Sequence, residues 1–337
     1  MASFKSACFE TLCGKRRART SRNPMSSHSY KPKVTVVVPT YRRPQMLAEA
    51  LGSILGGSFA DFEVLVVNDG PADDLELARV EYPDPRVIWI TRPQRLGILA
   101  NHVDAFRRAR GEFLTNLDDD DRWAPDMLST LVPILDDHPD VSVAFADHRI
   151  VDAEGVVDET LTEANSRHWG RAALTQGPHR PFLRLAVVDR SIPIQCAAVF
   201  RRSALTLDDY PESVGNYWDL WTAYLLAKQG ATAWYVPERL AYYRSHPGGN
   251  TIVRRAANAR AAIYCVERFL DDRELSAWRS QLKAWLAAAR IRLAAELLCE
   301  RRILEGCANV GGAAAIVLAS PVNFTRLAVK RKLAKWR

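Results

Sequence analysis

No CxxC pair and no histidine-rich spacing occur in this chain, and its six cysteines, Cys8, Cys13, Cys196, Cys265, Cys299 and Cys307, are scattered. A structural zinc ribbon is thereby excluded. The thiols read as reduced groups of a cytosolic protein, not as a disulfide framework. Long apolar runs are missing too. The best stretch, 313–319, is far short of the roughly 18 residues of a membrane-spanning helix. No apolar segment follows the first residues, so no secretory leader is expected. Acidic residues are absent from 15–22 and from 326–337, where eleven basic residues sit. Without those eleven the net charge falls from +7 to −4. A nucleic-acid binder would spread its basic charge over a folded face, so no nucleic-acid partner is expected. Basic ends suit an anionic membrane surface; solubilising tails are the alternative reading.

What is present is ordinary for a globular chain: 48% hydrophobic and 25% charged residues over 337 positions, enough for one larger domain and an appendage. Residues 1–31 lack periodicity and read as a disordered basic arm. Val34-Thr35-Val36-Val37-Val38 is a continuous β-branched run, as in a parallel strand covered on both faces. Pro44 opens a helix carrying Leu47, Leu51, Ile54 and Leu55, and Gly56-Gly57 ends it. Strands are expected at 62–67, 87–90 and 113–117, separated by helices near 73–80 and from 97 to about 110. Strand–helix alternation argues for a parallel sheet with right-handed crossovers. Further on, a helix at 125–137, a strand at 141–146, a turn at 152–155, a strand at 194–200 and a helix at 217–228 are expected. Two short strands, 232–236 and 240–243, flank Pro237. Residues 158–190 have no readable pattern. From 254 the chain is helical, with Asp271 to Glu274 starting a second amphipathic helix that carries Trp278, Leu282, Trp285, Leu293 and Leu297 down to Gly306.

The most pointed stretch is Asp118-Asp119-Asp120-Asp121, directly after the strand 113–117. At the carboxyl end of a buried strand, four carboxylates sit where open α/β sheets bind ligands. Carboxylate oxygens are the hard ligands of Mg²⁺ and Mn²⁺. The expectation is a divalent ion that in turn holds a diphosphate; a solvated acidic turn or helix cap is the alternative. Tyr41 and Asp69 also fall just after strands, which gathers them on the same edge.

These motifs resemble glycosyltransferase family 2. Val36 to Arg43 is similar to its opening strand and turn, Val66 to Gly70 to its second-strand signature, and Gly111 to Asp121 to the stretch with its DxD element. Pro237-Glu238 to His246 resembles a later signature. The resemblance covers about 33–250. It implies a GT-A fold, that is, a Rossmann-like α/β sheet, mostly parallel, flanked by helices. Here that domain would span 32–252, followed by a helical subdomain at 253–310 and a basic amphipathic tail at 311–337. It further implies a nucleotide-sugar donor, a UDP-sugar in the leading reading, with Mg²⁺ or Mn²⁺ as cofactor and a glycan or lipid-linked glycan as acceptor. Pro39, Thr40, Tyr41, Arg43, Asp69, Asn101, Asp118 and Asp119 match donor-binding positions. Asp120 matches the metal-binding aspartate, with Asp118 and His246 beside it, and Arg244 is placed to bind phosphate. Asp121 is expected to cap the next helix.

One departure stands out. Where the family has Glu-Asp ahead of an aromatic-rich helix, this chain has Asn216-Tyr217. An inverting transfer needs a general base, and neutral tyrosine is a poor one. Asp219 is the nearest carboxylate and is taken as the base, with Glu212 in reserve; a plain helix N-terminal acid is the bland alternative for Asp219. Two rival functions remain. A nucleotidyltransferase would bring a Gly-rich basic turn after the first strand, and Pro39 to Arg43 has none. A catalytically silent binding protein would account for the missing Glu-Asp pair. Residues 324–337 alternate apolar and basic side chains, as an interfacial helix does. The expected location is therefore cytoplasmic, peripheral at the cytoplasmic membrane face. Oligomeric state stays open.

Overall fold

The β-branched run after Lys33 forms β1 (Val34–Thr40), buried at every position but Pro39. α1 (Pro44–Leu55), β2 (Phe62–Asn68), α2 (Glu76–Glu81), β3 (Val87–Thr91), α3 (Ile98–Arg108) and β4 (Phe113–Asn116) follow in the expected alternation. β1 pairs in parallel with β2 and β4, and β2 with β3. The computed structural model describes residues 31–249 and 255–318. The basic arm and the amphipathic stretch 324–337 lie outside the described residues. Gly111 lets β4 enter close to β1, since a Cβ there would stand 2.4 Å from the Thr35 nitrogen.

The rest of the sheet is mixed. It is built by β5 (Arg122–Trp123), β6 (Val141–Val151), β7 (Gly177–His179), β8 (Ala198–Arg201) and β9 (Thr232–Arg244), with α4 (Met127–Asp137), α5 (Glu159–His168) and α6 (Trp218–Lys228) between them. Strand order is β3-β2-β1-β4-β8-β6-β9-β5, with β7 also on β9. β8 runs antiparallel to both β4 and β6, and β6 and β9 are parallel. Helices thus flank a central α/β sheet, parallel in its first half. Alternation along β1 sends Val34, Val36 and Val38 into one core with α1 and α4, and Val37 into the other with α3 and α6.

Several boundaries differ from the sequence reading. The two strands expected around Pro237 are one, because the register against β6 jumps from Val236 to Arg239. Pro237 falls in that bulge, where no ladder N–H is required. β6 runs to Val151, and of the expected strand 194–200 only 198–200 pair, in a strand that ends at Arg201. Residues 158–190 acquire structure from tertiary contacts. Asp158 caps α5 by accepting the Leu161 N–H at 2.8 Å. Buried Arg171 then ties the segment to buried Asp147 on β6 at 2.6 Å.

The carboxy-terminal helices are α7 (Arg255–Asp271), α8 (Arg279–Cys299) and α9 (Ile303–Leu318). The expected run to Gly306 breaks because Arg301 turns left-handed, with φ 60°, ending α8. Cys265, Val266, Phe269, Leu282, Trp285 and Leu286 belong to the same apolar cluster as Leu65, Phe106 and Phe200. These helices therefore complete one face of the sheet's core.

Candidate active site

β1 and β4 are parallel neighbours, so the turns after their carboxyl ends meet. The Leu117 N–H donates to the Val37 carbonyl at 3.0 Å, which carries the aspartates alongside Thr40 to Arg43. The Thr40 hydroxyl donates to Asp119 Oδ2 at 2.8 Å. Arg43 Nη1 bridges Asp119 Oδ1 at 2.9 Å and Asp120 Oδ2 at 2.7 Å. Its Nη2 donates to the Gly248 carbonyl at 2.8 Å. His246 Nε2 lies 2.9 Å from Asp120 Oδ2. The Asn116 amide donates to Asp118 Oδ1 at 2.9 Å. Thr40, Arg43, Asp118, Asp119, Asp120 and His246, chosen from sequence, are thus brought together.

Two assignments change. Asp121 caps no helix: α4 starts at Met127, and Asp121, 1% exposed, accepts the Arg244 N–H at 2.9 Å. The Arg244 guanidinium is engaged within the protein, by the Asp120 carbonyl at 2.9 Å, the Ala153 carbonyl at 2.7 Å and the Glu49 carboxylate. It locks the acidic turn to α1 and the 152–155 turn, which leaves it no fork for a phosphate.

Of the two guanidiniums at this turn, only that of Arg43 pairs with its carboxylates. Burial, then the charge of Asp120, pushes the Asp119 carboxyl up to about 6, against the pull of Arg43 and Thr40. Asp118 and Asp121 are driven well above the usual carboxylate range by burial and by the neighbouring aspartates. Asp120 alone is lowered: burial works against it, and the His246 hydrogen bond and the Arg43 charge outweigh burial. Asp121 Oδ2 is buried without a hydrogen-bond partner. Among the described residues no three His, Cys, Asp or Glu side chains form a ready-made metal cage. Even so, the surplus negative charge, the hard oxygen donors and the orphaned oxygen are what a divalent cation would satisfy.

On the neighbouring part of the edge, Tyr41 carries the Arg95 guanidinium 4.0 Å above its ring. Asp69 accepts the Leu96 and Gly97 N–H groups at 2.6 and 2.9 Å and pairs with Arg95 at 3.4 Å. Buried Asn101 donates to the Val67 carbonyl at 3.1 Å and accepts from Arg92 Nε at 3.3 Å. Both Asp69 and Asn101 thereby shape the 92–97 loop. Across the site, Asp219 stands half-buried in the first turn of α6, near enough for its charge to raise Asp118. Burial raises Asp219 itself, while the Leu220 N–H and the charge of Arg190 hold it down. Glu212 is exposed, and Asn216 is bonded to Asn258 on α7. Sequence reasoning missed Arg95, Asn116 and Arg190. The first two sit beside recognised motifs; Arg190 had no local signal.

The model of the family described as "Glycosyl transferase family 2" matches residues 35–206. A GalNAc(5)-diNAcBac-PP-undecaprenol beta-1,3-glucosyltransferase of Campylobacter jejuni is 35% identical over 104 residues, covering 30% of this chain and 34% of that protein. The chain spans about a third to a half of the length of three curated relatives it matches, this one included. Among solved structures, residues 1–349 of S. aureus TarS with UDP-GlcNAc superpose with a TM-score of 0.57 at 17% identity, covering 86% of this chain and 82% of that one. The mannosyltransferase PcManGT of Pyrobaculum calidifontis, with GDP-Man and Mn²⁺, gives 0.56 at 22% identity, covering 87% and 82%.

Proposed function

Since the chain belongs to glycosyl transferase family 2, a family of glycosyltransferases, we propose that it moves a sugar from a nucleoside-diphosphate donor to a hydroxyl of a lipid-linked glycan. The observation that carries this reading is the acidic turn itself: four carboxylates at the junction of β1 and β4, crowded beyond what Arg43 and His246 neutralise. Two solved neighbours hold UDP-GlcNAc and GDP-Man, which supports a nucleotide-sugar donor. The relative named for a PP-undecaprenol acceptor supports a lipid-linked one.

Asp118, Asp120 and His246 would hold Mg²⁺ or Mn²⁺. A bound divalent ion supplies Lewis-acid stabilisation of the leaving diphosphate. The protein's own groups do the remaining work. Tyr41 offers a ring face on the nucleoside side of the edge, and Asp69 fixes the loop beside it. Thr40 and Arg43 hold Asp119 toward the donor. Asp219 takes the proton of the attacking acceptor hydroxyl on its carboxylate, from the side opposite the leaving group, which gives an inverting displacement. Its raised pKa brings it closer to working pH as a base. Among the described residues no helix is long and apolar enough to cross a membrane.

Thermal unfolding with UDP, GDP, UDP-GlcNAc and GDP-mannose, each with and without Mn²⁺, tests the reading. A stabilising shift that requires Mn²⁺ and disappears in Asp120→Ala is expected. Equal shifts in excess chelator, or full turnover by Asp120→Ala, would refute it.

A further inference from the structure

α9 is a strongly apolar helix of which only one side is covered. Gly306 and Ala313 are buried, and Ile316 packs on the apolar cluster that holds Leu282 and Trp285. Gly306 lets the helix lie close on α8, since a Cβ there would stand 2.8 Å from Leu298 Cγ. The other side carries Ile303, 62% exposed, Leu304, 87% exposed, and Val310, 49% exposed, with Cys307 and Ala314 exposed in the same row. Ile303, Cys307, Val310 and Ala314 recur every three to four residues, so they share one helical face, and Leu304 lies beside them. A helix that is apolar all round is ordinarily covered all round. Single exposed apolar residues need no explanation, whereas a contiguous row of them marks an interaction surface.

Charge indicates what covers this face. Glu305, the acid within α9, pairs with Arg302 at 2.6 Å and with Arg260 at 3.6 Å, and Glu300 pairs with Arg302 at 3.6 Å. After Glu305 the sequence has no acidic residue. Residues 306–325 carry no charge of either sign, and six basic residues follow at 326–337. The apolar face thus leads along the chain into a purely cationic stretch. The headgroup boundary of an anionic bilayer satisfies both parts: aliphatic side chains enter the acyl region, and Lys and Arg meet the lipid charge. A second copy of this chain would bring six further cations and no acids to match them.

We propose that the exposed face of α9 is a docking surface for an anionic lipid bilayer. The helix lies along the interface, with Leu304 and Val310 in the apolar boundary and α8 on its other side. α7 and α8 share an apolar cluster with the sheet, so a bilayer held at α9 carries the α/β core with it. The inference does not rest on the transfer reading.

The test is flotation of the full chain with vesicles of phosphatidylcholine, and of phosphatidylcholine mixed one to one with phosphatidylglycerol. The wild-type chain should float with the anionic vesicles and leave them in high salt, which screens the lipid charge. Leu304→Glu combined with Val310→Glu should weaken that binding by at least about tenfold, because two aliphatic side chains give way to charges that stay in water. Circular dichroism checks that this variant folds. Cys307 supplies a readout that needs no variant. Its alkylation by an aqueous maleimide, followed by mass spectrometry of its tryptic peptide, should slow several-fold on anionic vesicles and not on neutral ones. A wild-type chain that ignores anionic vesicles overturns the proposal. Equal binding by the folded double variant does the same and leaves the basic stretch as the anchor. Where that variant fails to fold, Cys307 decides: alkylation as fast on anionic vesicles as in solution overturns the proposal. So does a dimer in light scattering that the double substitution disperses, which would assign the face to a second copy. No donor or acceptor is present in any arm, so failure here is separate from failure of the transfer reading.

Discussion

Asp119→Asn probes the charge crowding at the acidic turn. In the wild-type chain, burial and Asp120 hold the Asp119 carboxyl at about 6 against an ordinary 3.8. At 1.36 kcal/mol per pH unit this corresponds to about 3 kcal/mol. The folded chain binds this proton more tightly than the unfolded one. The group's contribution to stability is therefore fully present below the unfolded pKa, near 4, and is lost as pH rises through about 6. Two buried histidines act the other way. Burial lowers His102 to about 4 and His148 to about 3, so their contribution grows as pH rises toward the unfolded histidine value. The wild-type curve alone thus mixes opposing effects, and the informative quantity is the wild-type stability minus that of Asp119→Asn. The variant also loses hydrogen bonds to Thr40 and Arg43, which offsets the difference by a constant, and it relieves Asp118 and Asp121, which Asp119 raises, adding to the tilt in the same direction. Urea unfolding from pH 4 to 7.5 in chelator should show the difference falling by about 2 kcal/mol or more, since the unfolded carboxyl is already partly ionised at pH 4. With Mn²⁺ and UDP present the fall should shrink, because a bound cation takes the place of the protons. A difference that is flat with pH, or that rises, refutes the claim that this turn is electrostatically overloaded.

Asp219→Asn should keep Mn²⁺-dependent UDP binding, read by thermal shift, while turnover falls by at least 10²-fold, the scale of a lost general base; wild-type rates would place the base elsewhere. Gly111→Ala should destabilise the fold by about 2 kcal/mol or more in urea unfolding, since its Cβ would meet the Thr35 nitrogen and the Val34 and Phe113 backbone within 2.4–2.8 Å. A neutral result would mean that β1 and β4 separate more easily than their register implies.

The first half of the sheet was legible because its information is local. β1 and β2 are apolar on both faces, and a glycine or proline closes each turn near them. The acidic turn was legible for the same reason, as four like charges directly behind a buried strand. What escaped depends on distant partners. Nothing near Asp121 announces that the Arg244 N–H would claim it. Pro237 looked like a strand break because a pattern cannot foresee a bulge in the partner's register. Residues 158–190 have little periodicity, and a buried pair, Arg171 with Asp147, organises them from outside. Arg190 takes a left-handed backbone, and its guanidinium lies over two indoles from other elements. A sequence window spans none of these distances.

The turn that precedes Asp219 rests on the carboxy-terminal helices. A Cβ on Gly215 would stand 3.7 Å from the Ala261 methyl, and Asn216 is bonded to Asn258. The segment matched to the family ends at residue 206, before this turn begins. A chimera cut at the family boundary would therefore carry the acidic turn but leave behind residue 219 and also Arg244 and His246, which meet that turn from the end of β9 and the loop after it. Exchange between relatives has to move α6 together with α7 and α8. In modular terms, the acidic turn is written in the first two hundred residues, while the groups that lock it and the helices that brace residue 219 are written after them.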